Sequence, residues 1–228
     1  MRPRHCAQEL RVAFFNKFFF NYNFQPLYDE IETNFIDILA MAELSEASYQ
    51  EIKAKINLPY SYYTNCHCNS MLGDPVAVFS RYPLSDIKTN GLQAGGIIEA
   101  TVTLNNNTTL QLITLHPDAP MTQDLLIRRN SILTDLDIIL QSYRDKKVVL
   151  LGDFNISSWS PTFMKFLINN PFLKDSARGF GIQSTWGPYF IRTKIDHILV
   201  SQDIAIKDFS TKKIEGSDHY MIVTRLGI

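Results

Sequence analysis

The sequence predicts an α/β protein in which helices lie outside a mixed β-sheet or a pair of β-sheets. Strand-like segments outnumber helix-like segments, and both hairpins and helices connect the strands. These connections exclude a purely parallel, doubly wound sheet, in which helices would follow the strands throughout. The 228 residues contain no internal repeat and no Pro/Gly/Ser linker. We therefore expect a single domain over residues 1–228, with residues 1–9 as a flexible leader.

The first part of the chain predicts strands and helices in alternation. A first helix is expected at residues 25–34, because Pro26 suits a first helical turn. Ser45 is a typical N-cap and opens a second helix that extends to about residue 56. The Tyr82–Pro83 pair ends the last strand of this part. Three apolar segments are predicted to be buried strands: residues 10–15, 35–42 and 76–79.

The second part predicts a hairpin, the longest helix and further strands. Residues 95–104 and 109–115 flank Asn105-Asn106-Asn107, whose tolerance of positive φ suits an antiparallel hairpin. Residues 122–143 place their Leu and Ile side chains on one helical face, and a short helix is expected at residues 160–169. Four more segments are predicted strands: residues 147–151, 195–200, 205–212 and 220–226.

The composition is that of a folded chain with balanced charge. Hydrophobic residues make up 45% of it, which excludes disordered, collagen-like and disulfide-framework proteins. Lys and Arg number 22 against 23 Asp and Glu, so the net charge is −1. A nucleic-acid partner therefore stays open but is not indicated by the charge, since binding would depend on local basic patches. We expect a monomer.

Cysteines and apolar runs give no sign of a metal knuckle or a membrane span. Cys6, Cys66 and Cys68 cannot all pair, and the Cys66-His67-Cys68 spacing is tighter than that of zinc knuckles. We interpret them as incidental thiols in preference to metal ligands. No apolar run approaches the roughly 20 residues of a membrane span, and the first residues lack a signal-peptide pattern. We expect a soluble domain.

Polar side chains follow several predicted strands, where a scaffold presents reactive groups to a cleft. Each of these residues alone is weak evidence of function, because a single Glu after a strand is more often a helix-capping or solvated carboxylate and an Asp-His pair is common by chance. The run Val148-Val149-Leu150-Leu151 into Gly152-Asp153-Phe154-Asn155 is more informative, since a tight turn then presents a carboxylate and an amide on the same side. The strand-end residues are Asn16, Glu43, His116, Asp153, Asn155, Asp218 and His219, and Asp196 lies within a predicted strand.

The chemistry of this set indicates metal-assisted hydrolysis. Glu43, Asp153 and Asp218 offer the hard oxygen ligands that Mg²⁺ or Mn²⁺ prefers. His116 and His219 offer proton donors or acceptors at neutral pH. No Ser or Cys nucleophile accompanies them, so the set suggests attack by water on a phosphate ester.

These motifs resemble the endonuclease/exonuclease/phosphatase superfamily of metal-dependent phosphoesterases, over almost the whole chain. The matching motifs are Asn16, Ala42-Glu43-Leu44, residues 79–84, Thr114-Leu115-His116, residues 152–155, Ile195-Asp196-His197 and residues 216–219. Further segments are similar to a bacterial subgroup whose hydrolase domain often follows membrane helices: His116-Pro117, Arg129-Asn130, Trp159-Ser160-Pro161, Thr185-Trp186 and residues 195–201. This chain lacks such helices. Its location stays open and includes the extracytoplasmic part of a longer, membrane-anchored bacterial protein.

The resemblance implies a four-layer α/β sandwich, with two mixed β-sheets face to face and helices outside. It also implies that Glu43 is the main metal ligand, with Asn16 and Asp218 at or beside the metal. Asp153 would orient or deprotonate the attacking water, and Asn155 would hold a phosphate oxygen.

The resemblance assigns the histidines to the phosphate. His219 would act on the scissile group as acid, base or charge stabiliser, with Asp196 bonded to its other ring nitrogen. A buried carboxylate satisfied by backbone donors is the alternative for Asp196. His116 would be a second phosphate contact.

Three further features have competing explanations. Arg129 is either a phosphate clamp or part of a solvated helix face, and Trp186 is either a cleft wall or a core residue. Phe18-Phe19-Phe20 cannot all be buried by a strand's alternation, so one or more is a candidate for the substrate site or a lipid contact.

Two classes of function are consistent with the sequence. The first is an active phosphodiesterase or phosphatase, with a nuclease on DNA or RNA as the alternative substrate class. The second is a catalytically dead binding module of the same fold, which would normally have lost a metal carboxylate or the Asp196–His219 pair. Both are present, so the sequence favours the enzyme.

Overall fold

The computed structural model describes residues 8–64, 75–90, 96–187 and 192–228, which form two six-stranded sheets and four helices. In spatial order, the first sheet contains β11 (Ala205–Lys213), β12 (Tyr220–Gly227), β1 (Glu9–Asn16), β2 (Ile38–Ala42), β4 (Val76–Ser80) and β3 (Tyr60–Tyr63). The second contains β5 (Leu84–Asn90), β6 (Ile97–Thr103), β7 (Thr109–Leu115), β8 (Val148–Asp153), β10 (Asp196–Ser201) and β9 (Leu173–Asp175). The helices are α1 (Gln25–Thr33), α2 (Glu46–Lys55), α3 (Gln123–Gln141) and α4 (Pro161–Asn169).

Each sheet has one parallel pair of strands near its centre. β1 runs parallel to β2, with Asn16 opposite Ala42, and β7 runs parallel to β8, with Leu115 opposite Gly152. The other strand pairs are antiparallel, including the predicted β6–β7 hairpin. Parallel neighbours end at the same edge of a sheet. Residues that follow the two strands of each pair are thereby brought together.

Apolar side chains divide the molecule into four layers. Phe14 and Ile38 of the first sheet share the central core with Leu151 and Ile198 of the second. The helices α1 and α2 pack on the outer face of the first sheet, and α3 and α4 on that of the second. Because both faces of both sheets are buried, the central strands are apolar throughout, and the predicted four-layer α/β sandwich is confirmed.

Strand boundaries differ from the prediction where the backbone or an edge position overrides the apolar pattern. β2 begins at Ile38 and not at residue 35, because Phe35 has a φ of 50° and its side chain is exposed. β3, β5 and β9 were not expected. β3 and β9 lie at sheet edges and have four and three residues, and β5 is an edge strand that is largely exposed. Short or polar edge strands carry little apolar signal.

Several predicted features lie outside the described residues. These include residues 1–7 of the leader, Gly95 of the hairpin, and Cys6, Cys66 and Cys68. Among the described helices, none has the length and apolar character needed to cross a membrane.

Candidate active site

A cavity of about 530 Å³ opens where the two parallel strand pairs end. Seven of the ten predicted site residues line it: Glu43, His116, Asp153, Asn155, Trp186, Asp218 and His219. Asn16 and Asp196 do not line the cavity but contact residues that do: Asn16 contacts Glu43 and Asp153, and Asp196 contacts His219. The topology therefore brings strand-end side chains from both sheets to one place.

Asn16 and Glu43 form the contribution of the first sheet. Asn16 is the last residue of β1, is buried, and donates from Nδ2 to Glu43 Oε1 at 2.8 Å and to Asp153 Oδ2 at 3.2 Å. Glu43 follows β2 with a φ of 60°, a conformation uncommon for a residue with a side chain. The N–H of Phe19 donates to its second oxygen, Oε2, at 2.8 Å. One amide side chain thus links two carboxylates from different sheets.

Asp153 ends β8 and is fully buried in the cavity floor. The N–H of Asn155 donates to its Oδ1 at 2.8 Å. Burial raises the pKa of Asp153 to about 6; the charge of Asp196 adds to this, while His219 and His116 oppose it. Gly152, before it, is required by space: a Cβ there would lie 2.2 Å from the carbonyl oxygen of Leu115.

His219 and Asp196 form a buried carboxylate–imidazole pair. The ring Nδ1 lies 3.0 Å and 3.2 Å from the two carboxylate oxygens of Asp196, and Nε2 lies 3.7 Å from Asp153 Oδ2. Burial lowers the pKa of His219, but the charges of Asp196, Asp153 and Asp218 outweigh it and raise the pKa to about 9. The backbone N–H of Asp196 donates to Thr185 Oγ1. The carboxylate of Asp196 therefore has a side-chain partner, the His219 ring.

His116 is the second imidazole of the cavity. Its Nε2 lies 3.6 Å from Asp153 Oδ2 and 3.9 Å from Glu43 Oε1. Its Nδ1 is buried and has no hydrogen-bond partner among the described residues. The ring therefore stands between the carboxylates of the two sheets.

Asn155, Arg129 and Trp186 lie at one side of this centre. Asn155 donates from its side-chain Nδ2 to the carbonyl of Pro117 at 2.9 Å. The backbone carbonyl of Asn155 accepts from Arg129 Nη1 at 2.7 Å. Arg129 is buried and is not among the described residues that line the cavity, so it lies behind Asn155. Trp186 is 39% exposed, lines the cavity, and donates from Nε1 to Asp218 Oδ2 at 2.9 Å.

Two groups of these residues offer metal-ligand atoms. Among the described residues, Asp153, Asp196 and His219 form a group whose ligand atoms lie within 4.8 Å of one another. However, Asp196 is already bonded to the His219 ring. Glu43 has its carboxylate at the cavity, beside the amide of Asn16. The facing carboxylates of Glu43 and Asp153 fit a hard divalent cation, which would offset their mutual repulsion, while the Asn16 amide oxygen accepts from the N–H of Phe18.

The sequence analysis assigned no role to three residues that hold the site together. Ser217 donates from Oγ to the carbonyl of Asn16 at 2.8 Å and accepts from the N–H of His219 at 3.0 Å. Thr185 accepts from the N–H groups of Ile195 and Asp196. Lys17 is fully buried next to Asn16. Ser217 and Thr185 belong to motifs matched in the sequence, residues 216–219 and Thr185-Trp186, but residue type alone assigned them no role.

Comparisons with known proteins agree with this architecture. The family model described as "Endonuclease/Exonuclease/phosphatase family" matches residues 13–219. No curated protein sequence matches the chain significantly.

Solved structures share the fold at low identity. TDP2 from D. rerio, complexed with a single-strand DNA product, has a TM-score of 0.80 at 15% identity, covering 97% of this chain and 100% of that one. An endonuclease/exonuclease/phosphatase from Beutenbergia cavernae has a TM-score of 0.78 at 16% identity, covering 97% of this chain and 72% of that one. An endonuclease/exonuclease/phosphatase family protein from Bacteroides thetaiotaomicron has a TM-score of 0.73 at 15% identity, covering 96% of this chain and 98% of that one. With a family match over most of its length and this fold, the chain belongs to the endonuclease/exonuclease/phosphatase family.

Proposed function

We propose that this chain is a divalent-metal-dependent hydrolase that cleaves a phosphoester, as a phosphodiesterase or phosphatase, by attack of an activated water. The observation that carries this proposal is the convergence of Asp153, the Asp196–His219 pair and the Glu43–Asn16 pair at one cavity. The described residues that line the cavity include no Ser, Thr or Cys. Water is therefore the proposed nucleophile.

Asp153 is the proposed base for that water. With its pKa raised by burial to about 6, it is mostly ionised at neutral pH and still basic enough to accept a proton. The Asn155 N–H holds Oδ1, while Oδ2 faces the rings of His116 and His219. Its second oxygen is thus directed towards the reacting groups.

His219 is proposed to contact the scissile phosphate as an acid or charge stabiliser. Because Asp196 binds Nδ1, Nε2 is the nitrogen that faces Asp153 and the cavity. A protonated ring stabilises negative charge that develops on phosphoryl or leaving oxygens. His116 is proposed as a second phosphate contact, and the Asn155 amide as a donor to a phosphate oxygen.

Glu43 is the proposed main ligand for the cation, with Asn16 and Asp218 at or beside it. The oxygen donors favour Mg²⁺ or Mn²⁺. When bound, such a cation supplies positive charge that stabilises the phosphoryl oxygens during attack. Asn16 orients Glu43 by its 2.8 Å contact with Oε1, and Asp218 is oriented by Trp186.

The cavity walls favour a small or amphiphilic phosphoester. Phe18, Pro117, Met121, Leu125 and Trp186 supply an apolar surface beside the carboxylates. The described lining residues include no Lys or Arg, so few phosphates beyond the scissile one would be neutralised there. We propose that the organic group of the substrate rests on the apolar walls.

A nuclease is the second candidate, and two observations favour it. The fold is similar to that of TDP2 from D. rerio, which was crystallised with a single-strand DNA product. Exposed aromatic rings such as Phe20 also suit base stacking. A nucleic-acid substrate would give an activity that falls steeply with salt, whereas a small phosphoester would not.

The test is a screen of phosphomonoester, phosphodiester, DNA and phospholipid substrates with Mg²⁺ or Mn²⁺, at low and high salt. We expect hydrolysis of a non-nucleic phosphoester that is lost in Asp153→Asn. The matched control is Asp203→Asn, which changes an exposed carboxylate paired with Lys147. Turnover that survives exhaustive chelation would refute the metal-dependent mechanism. Tight substrate binding without turnover by any metal would instead indicate a binding module.

A further inference from the structure

Lys17 is a fully buried lysine beside the cavity that the proposed chemistry does not use. Its Nζ donates to three backbone carbonyls: that of Phe18 at 3.1 Å, that of Phe19 at 2.9 Å and that of Asn21 at 3.1 Å. A buried ammonium is costly unless it is paired or hydrogen-bonded. Here the loop that follows β1 folds around the ammonium group.

Aromatic rings complete the surroundings of this ammonium. Nζ lies 5.8 Å from the ring centre of Phe19, 5.4 Å from that of Tyr22 and 5.9 Å from that of Phe24. Rings at such distances attract a cation, more strongly when it is desolvated. The rings and carbonyls together hold residues 17–24 in one arrangement.

The peptide group between Phe18 and Phe19 connects Lys17 to Glu43. Its carbonyl oxygen accepts from Lys17 Nζ at 3.1 Å, and its N–H donates to Glu43 Oε2 at 2.8 Å. Hydrogen bonds in such a chain polarise one another, so the cation strengthens the N–H as a donor. A single peptide thus stands between a buried positive charge and the proposed metal-binding carboxylate.

The backbone of this loop needs support to keep that geometry. Phe18 has a φ of 62°, which is unfavourable for an aromatic residue and persists only where the surroundings fix it. The N–H of Phe18 donates to Asn16 Oδ1 at 3.0 Å, and the N–H of Asn21 donates to the carbonyl of Phe18 at 2.9 Å. Both Asn16 and Glu43 are therefore oriented by the loop that Lys17 organises.

We infer that Lys17 is a positioning residue for the cation site: its ammonium, through the Phe18–Phe19 peptide, fixes Glu43 Oε2 and leaves Oε1 directed at Asn16 and the cavity. This inference rests on the proposed function, because it assigns the Glu43 carboxylate to a divalent cation. Partners that orient a metal ligand typically change metal affinity by roughly 10- to 100-fold when removed.

The test measures Mn²⁺ binding without substrate, by the electron paramagnetic resonance of free Mn²⁺. The variants are Lys17→Met, Lys17→Arg and Glu43→Gln. Lys146→Met is the matched control, because Lys146 also lies over an aromatic ring, that of Tyr143. Lys146 comes just before the start of β8, whereas Asp153 is at the other end of that strand. We expect Lys17→Met to weaken Mn²⁺ binding by roughly 10-fold or more. Lys17→Arg, which keeps the charge and its donors, should recover most of the loss, and Lys146→Met should bind like the wild type.

The outcomes separate the two proposals. If Glu43→Gln loses Mn²⁺ binding while Lys17→Met binds like the wild type, the inference about Lys17 is wrong and the proposed function stands. If Glu43→Gln binds Mn²⁺ like the wild type, the assignment of Glu43 in the proposed function is wrong. Equal losses in Lys17→Met and Lys17→Arg would also overturn the inference, because charge would then not be the determinant.

A second measurement decides the case in which Lys17→Met does not fold. Nuclear magnetic resonance of the wild type and Glu43→Gln follows the Lys17 ammonium signal and the hydrogen exchange of the Phe19 amide. We expect Glu43→Gln to shift the ammonium signal and to accelerate exchange at Phe19, since both groups share one peptide. An unchanged ammonium signal and unchanged Phe19 exchange would overturn the inference.

Discussion

Replacing Asp196 by Asn tests the carboxylate–imidazole pair through its effect on the stability of the folded chain. Burial lowers the pKa of His219, but Asp196 and the neighbouring carboxylates raise it from 6.5 to about 9. That rise corresponds to roughly 3 kcal/mol in favour of the protonated ring, at about 1.36 kcal/mol per pH unit. Asp196 is the largest of the charges that raise it and lies within 3.0 Å of Nδ1.

The sign of the pH dependence follows from a pKa that is higher in the folded than in the unfolded chain. The stabilisation is fully present below about pH 6.5 and is lost as the pH rises through about 9. Asp196→Asn removes the charge that the protonated ring contacts. We therefore expect the stability gap between the wild type and Asp196→Asn to be about 2–3 kcal/mol larger at about pH 6 than at about pH 9.5.

Urea unfolding of the metal-free proteins at the two pH values measures this gap. Nuclear magnetic resonance of the His219 ring follows its titration directly, and we expect its pKa to fall in Asp196→Asn. Asp203→Asn is the control, since its exposed carboxylate contacts Lys147 and should give a gap near zero at both pH values. A gap independent of pH, or a wild-type His219 that titrates near 6.5, would refute the reasoning.

Four further outcomes are expected. Chelation should abolish hydrolysis while circular dichroism stays unchanged, because the oxygen ligands line a preformed cavity. Asp153→Asn and His219→Ala should each lower kcat by roughly 10²-fold, and a folded variant with near-wild-type turnover would remove that residue from the mechanism. Phe18→Ser should raise KM for an amphiphilic phosphoester, because the Phe18 ring lines the cavity, without weakening Mn²⁺ binding, as titration without substrate would test. Gly152→Ala should cost roughly 3 kcal/mol in urea unfolding, because its Cβ would overlap the carbonyl of Leu115; an unchanged midpoint would contradict this.

The positions of the site residues were predictable because strand ends are visible in the sequence. Apolar strands end at Asn16 and at Asp153, and Glu43 and His116 directly follow two others. Parallel pairing then brings these ends together in each sheet. Which two sheets face each other is a tertiary property, and here the resemblance to the family supplied what local patterns did not.

Contacts made by unremarkable residues could not be predicted. Ser217 joins Asn16 to His219 across about 200 positions of sequence, and its residue type alone indicates nothing. Arg129 was expected at a phosphate or in solvent, yet it is buried and donates to the Asn155 carbonyl. Long-range contacts of this kind depend on packing, which periodicity does not encode.

The protonation states of Asp153 and His219 also arise from burial and from neighbouring charges, and not from residue type alone. An isolated Asp and an isolated His would both be mainly ionised near pH 5, yet only the carboxylate would be charged at pH 8. In the folded chain the pKa of Asp153 is about 6 and that of His219 about 9, so at neutral pH both are mostly charged and face each other at 3.7 Å. A proton acceptor and a protonated ring are then available at the same pH. Two groups 66 residues apart in the sequence acquire these complementary states because the fold buries both beside Asp196.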